Sequence, residues 1–143
     1  MENNLIETWK NLNFIDGSFS IFNIIFDARD LTVKIQAIFT DEDEIITLDF
    51  FDIIAYRVTD EQFYMTGLDD TEVETGVFYK VEKSKYVEWY MNKGIQTIRR
   101  GEPEPLHYVI YTEEVVIDII TDNDFIIRQG NKLLYGLKNQ KEL

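Results

Sequence analysis

The chain has 143 residues, with 27 acids against 14 bases, one histidine, no cysteine and a formal net charge of −13. Without cysteine there is no disulfide scaffold, thiolate metal site or cysteine nucleophile. At 45% hydrophobic and 14% aromatic residues, the chain has too much apolar material to be held open by its charge.

Residues 1–143 are read as one domain, since this length suits a single core and no composition break or fixed-period repeat divides it. Leu5, Ile6, Trp9 and Leu12 recur at helical spacing, which predicts a short amphipathic helix over Asn4 to Leu12. Gly17 marks a turn. Ser18 to Phe26 is nearly continuous in apolar residues and predicts a strand buried on both faces. From Leu31 through Val33, Ile35, Ala37 and Phe39, apolar residues alternate with Thr32, Lys34 and Gln36, the period-2 pattern of a half-buried strand. Asp27-Ala28-Arg29-Asp30 between them is short enough to close a hairpin.

Asp41 to Glu44 predicts the next turn. Ile45 to Val58 is long for one strand, and Asp52 interrupts its register of Ile46, Leu48 and Phe50 before Ile54, Tyr56 and Val58. An acid at a core position predicts a bulge or corner near Phe51-Asp52. Glu61 to Leu68 reads as a further strand, and Asp69 to Gly76 as an exposed acidic loop.

Val77 to Glu82 is predicted to run as a strand directly into a helix. Ser84 serves as its N-cap, Tyr86, Val87, Tyr90 and Met91 form its apolar stripe, and Gly94 closes it. A loop follows, with Arg99, Arg100, Pro103 and Pro105. Leu106–Thr112 and Val115–Ile120 form a second hairpin around Glu113-Glu114. Asp122-Asn123-Asp124 turns the chain into a last strand, Phe125 to Arg128. The tail, with Leu133, Leu134, Tyr135 and Leu137, is expected to dock as a short helix.

Strands arriving in runs predict an α+β fold with a mainly antiparallel, curved or barrel-like sheet of seven or eight strands and two or three short helices. The N-terminus lacks the basic and apolar regions of a signal peptide, and no apolar run approaches the roughly 20 residues that span a bilayer. Both point to a cytoplasmic protein.

Charge is unevenly spread. Residues 1–82 hold about 18 acids and 5 bases, whereas residues 83–143 hold about 9 of each. From Asp41 to Glu74 about 12 acids face Arg57 alone. Such a surface repels nucleic-acid phosphates and anionic lipid and attracts cationic partners. Two readings of the acidic run stand side by side: a solvated face, or a partner-binding surface formed by Asp41, Glu42, Asp43, Glu44, Asp69, Asp70, Glu72 and Glu74.

Motifs for chemistry are missing. His107, as a general base, needs a nucleophile and an orienting carboxylate, and neither has a sequence signature, so it reads as a surface or cross-strand histidine. One histidine without cysteine cannot supply the usual zinc ligand sets. Asp122-Asn123-Asp124 lacks the glycine and closing glutamate of a calcium loop, and no metal or cofactor is implied. Seven scattered glycines form no phosphate-binding loop, and Arg99-Arg100 is too small a basic cluster for nucleic acid. Asp49, Asp52 and Asp118 lie in apolar runs and are the acids expected to be buried, each held by a turn or a neighbouring arginine.

The acidic hairpins, the Ile46-to-Val58 segment, the strand-then-helix Val77 to Met91, and Tyr108-Val-Ile-Tyr leading into Val115-Val-Ile-Asp-Ile-Ile carry a general resemblance. The chain resembles small acidic, strand-rich bacterial immunity proteins. That resemblance implies a non-catalytic inhibitor covering the active site of a basic toxin. A second reading is an enzyme or small-ligand carrier whose pocket is lined by Trp89, Tyr90, Tyr108 and Tyr111. A third is a subunit that self-associates through a sheet edge.

Overall fold

The computed structural model describes residues 7–12, 19–37, 45–61, 77–92, 103–112 and 114–136. In chain order these form β1 (Thr8–Asn11), β2 (Phe19–Asp27), β3 (Asp30–Ala37), β4 (Ile45–Phe50), β5 (Ile53–Asp60), β6 (Val77–Glu82), α1 (Lys85–Tyr90), β7 (Leu106–Tyr111), β8 (Val115–Thr121), β9 (Phe125–Gln129) and β10 (Lys132–Tyr135). Two five-stranded sheets result: sheet A in the order β1-β6-β7-β8-β5, and sheet B in the order β10-β9-β4-β3-β2. Every pairing is antiparallel.

The α+β expectation therefore gives way to a mostly β architecture, with ten strands and one short helix among the described residues. Two predicted helices became strands. Thr8–Asn11 lies along the edge of sheet A, with Trp9 opposite Val81 and Lys10 bridging to Glu82 at 3.1 Å. Its helical spacing lost to an available strand edge, a tertiary override of local pattern. Residues 132–135 likewise pair with β9 instead of docking as a helix. The following Gly136 takes φ +101, and a Cβ there would run into the carbonyl oxygen of Phe125.

The β2–β3 hairpin forms as expected, with Ala28 at φ +61 in its two-residue turn. β3 alternates as its sequence requires, with Leu31, Val33 and Ile35 wholly buried. β2, read as buried on both faces, is instead the outermost described strand of sheet B, and its Ile25 and Phe26 are exposed. Continuous apolar character does not distinguish a strand covered on both faces from one with side chains in solvent.

The corner at Phe51-Asp52 is real. Asp52 adopts φ +48, separates β4 from β5, and is exposed rather than buried. Because β4 pairs with β9 and β5 with β8, two stretches of chain bend together at this corner, β4–β5 passing from sheet B into sheet A and β8–β9 from sheet A into sheet B. The turn after β8 is tied to the same place, since Thr121 Oγ1 and Asn123 Nδ2 both donate to the carbonyl of Phe51.

One core fills the space between the sheets: Leu31, Val33, Ile35, Leu48, Phe50, Phe125 and Ile127 from sheet B meet Phe78, Tyr108, Ile110, Ile117 and Ile119 from sheet A. Phe78 and Tyr108 stack edge-on against Phe125 at 5.0 and 4.9 Å between centroids. Asp49, at the rim, accepts from Thr32 at 2.7 Å and pairs with Arg128, as expected of a buried acid. No helix among the described residues is long and apolar enough to cross a membrane.

Candidate functional site

The face of sheet A turned away from sheet B is also buried over much of its width. Tyr79, Val81, Val109, Tyr111 and Val116 cluster there with Trp9, whose indole lies 5.2 Å from the ring of Tyr79. Beyond these apolar residues, the same face carries three polar groups under α1. They are His107 on β7, Asp118 on β8 and Arg57 on β5.

Arg57 is directly opposite Asp118 across the β5–β8 pair, and its Nε donates to Asp118 Oδ2 at 2.9 Å. His107 is diagonal to Asp118 across the β7–β8 pair, and its Nε2 lies 2.7 Å from Asp118 Oδ1. On the other side, His107 Nδ1 lies 2.7 Å from Ser84 Oγ. Ser84 caps α1 as its sequence predicts: its Oγ accepts from the Val87 N–H at 3.0 Å.

An imidazole protonated on Nε2 alone satisfies this chain. Its N–H donates to Asp118, its bare Nδ1 accepts the Ser84 hydroxyl, and the serine oxygen still accepts from Val87. His107, Asp118 and Ser84 are 2%, 0% and 6% exposed. His107 is thus a central buried residue and not a surface one. The hydroxyl and carboxylate that its sequence neighbourhood lacked arrive from positions 23 and 11 residues away.

Hydroxyl, imidazole and carboxylate together invite comparison with a hydrolytic triad. The order is reversed: in the serine-protease arrangement the carboxylate holds Nδ1 and the nucleophile faces Nε2. Ser84 Oγ is committed to the helix cap and lies beneath α1, closed to a substrate. The chain acts as a polar pin holding α1 to the sheet, in which each buried polar atom meets a partner.

Over the outer end of this pin opens a cavity of about 260 Å³, lined by Arg57, Lys85, Tyr86 and Trp89. The Arg57 guanidinium sits 4.0 Å above the Tyr86 ring, and Tyr86 in turn packs edge-on against His107. Burial pushes the Tyr86 phenol above its usual pKa, an effect partly offset by the Arg57 charge. Of the aromatics expected to line a pocket, Trp89 does so. Tyr90 stacks against Tyr86 behind it, whereas Tyr108 belongs to the inter-sheet core and Tyr111 to the cluster around Trp9.

The acids proposed from sequence as a partner surface, Asp41, Glu42, Asp43, Glu44, Asp69, Asp70, Glu72 and Glu74, lie outside the described residues, as do Gly94, Arg99, Arg100 and Leu137. A different acidic group emerges at the corner. The β2–β3 turn brings Asp27 and Asp30, the β4–β5 corner Asp52, and the β8–β9 turn Asp122 and Asp124, all exposed. The Asp52 N–H donates to Asp30 Oδ1 at 2.8 Å, and Asn123 reaches Phe51, so the three turns adjoin. Across these turns Arg29 supplies the one cation among the described residues, paired with Asp52 at 2.7 Å. Among the described residues no group of three or more His, Asp or Glu side chains is arranged to hold a metal ion. Compared with models of known protein families, with curated proteins and with solved structures, the chain matches none of them.

Proposed function

We propose that this chain is a non-catalytic protein-binding domain that engages a basic partner through an acidic surface, in the manner of an immunity-type inhibitor. The observation that supports it best is the corner where Asp27, Asp30, Asp52, Asp122 and Asp124 converge beside an exposed edge strand. On that strand Ile25 and Phe26 are 42% and 49% exposed, and Phe26 stacks with Tyr56 at 5.2 Å. Apolar side chains flanked by five acids and one paired cation, Arg29, have the anatomy of a protein interface, with contact area at the centre and steering at the rim. The Ser84–His107–Asp118 chain, with Ser84 Oγ held in the α1 cap, supports a structural role for these three residues.

The test uses the product of a neighbouring reading frame that encodes a basic protein, titrated against this chain by calorimetry. The triple variant D27N/D30N/D52N keeps the local acceptor oxygens and removes three charges. Its affinity is expected to fall at least tenfold at low salt, with a shallower salt dependence. Unchanged affinity and salt slope would sink the acidic-surface reading.

A further inference from the structure

We propose that the cavity at α1 is a binding site for a small molecule that carries one oxyanion, carboxylate or phosphate, on a flat ring. This site is separate from the acidic corner and does not depend on it. Its lining is unusual for this molecule: in a chain with 27 acids and 14 bases, the charged side chains among the described residues around the cavity, Arg57 and Lys85, are cations. The other described lining residues are aromatic, Tyr86 and Trp89. Cations match the oxyanion, and the indole of Trp89, packed edge-on with Tyr90, adds apolar surface beside them.

Arg57 is also held in advance of any ligand. Its Nε is fixed on the buried Asp118 carboxylate, its guanidinium rests on Tyr86, and Asp118 is in turn fixed through His107 to Ser84. A solvated surface arginine needs no such support. A binding arginine gains from it, because less side-chain freedom is lost when the ligand arrives. Glu7, just ahead of β1, is held by two hydrogen bonds: it accepts from the Trp9 indole with Oε1 and from the Lys85 backbone N–H with Oε2. Trp89 is 55% exposed at the edge of the cavity. The cavity's size of about 260 Å³ admits one ring and one anionic group and little more.

Two probes separate the sources of the oxyanion: phenyl phosphate for a phosphate ester and benzoate for a carboxylate. Binding is followed by NMR through the indole N–H of Trp89, with that of Trp9 as the internal control. Saturable movement of the Trp89 signal with either probe, while Trp9 stays still, is the expected result. Affinity should fall at least tenfold in K85Q, read from the Trp89 indole, and in W89A, read from the Tyr86 backbone amide because that variant lacks the indole; both substitutions are at exposed positions, and folding is verified from the Trp9 signal. Absence of saturation by both probes at millimolar concentration overturns the proposal. Binding that survives both K85Q and W89A unchanged overturns it as well.

Discussion

Ser84, His107 and Asp118 show what a buried polar group demands of its neighbours. His107 is the hub, since both of the others bond to its ring. S84A removes the α1 cap and leaves Nδ1 without a donor, at an expected cost of about 2 kcal/mol. D118A leaves the Nε2–H buried and unmatched and frees Arg57 from its anchor, at an expected cost of about 2–4 kcal/mol. Both act through one imidazole, so the double variant should lose less than the sum of the singles. Urea unfolding of the three proteins checks this, and strict additivity would show that the pin is not a unit. A second residue-scale expectation concerns tyrosines. Tyr108 and Tyr86 are pushed up chiefly by burial, and Tyr135 chiefly by donating to Asp124. The unfolded chain releases these protons near pH 10.0 while the fold retains them. Their contribution to stability is therefore complete below pH 10 and declines as pH rises beyond it. The urea midpoint should hold steady from pH 8 to about 9.5 and then drop, with a shallower drop in Y108F.

Secondary elements were legible in the sequence wherever one side chain declares its own environment. Leu31, Val33 and Ile35 alternate because one face of β3 meets the core, and an acid at position 52 marks the point where that register had to break. Ser84 ahead of an apolar stripe announced the cap that forms. Elements whose character depends on a distant edge were not legible. β1 and β10 are each four residues long, too short for periodicity to tell strand from helix, and both exist because β6 and β9 offer them a ladder. The exposure of β2 followed the same logic, since only the strand order shows that it is the outermost described strand of sheet B. The polar pin was hidden for a different reason. Its contacts span 11, 23 and 61 residues, and diagonal pairing across a sheet depends on register, which no local spacing encodes. Asp118 was singled out as a buried acid that needs an arginine, but the identity of Arg57 required the topology.

At the scale of the whole molecule, a charge of −13 acts on folding and on association in opposite senses. Like charges held close in the folded state repel, and that repulsion destabilises the compact form. Exposed ion pairs that oppose it, such as Lys10–Glu82 and Arg29–Asp52, each contribute at most about 1 kcal/mol and are themselves weakened by salt. The Asp118 pairs are shielded by burial and respond little to ionic strength. Repulsion among the remaining acids is therefore the term that salt changes most. Raising NaCl from about 10 mM, where the Debye length is about 30 Å, to about 150 mM, where it is about 8 Å, screens it over most of the molecule. The urea midpoint should rise over this range. Binding of a basic partner at the acidic corner uses the same field attractively, so its association rate should fall over the same range. Stability and association moving in opposite directions with one variable is a signature that neither apolar docking nor a sheet-edge contact would produce. A midpoint that falls with salt would mean that exposed ion pairs outweigh repulsion. In that case the asymmetry of charge along the chain is compensated within the fold itself, rather than kept available for a partner.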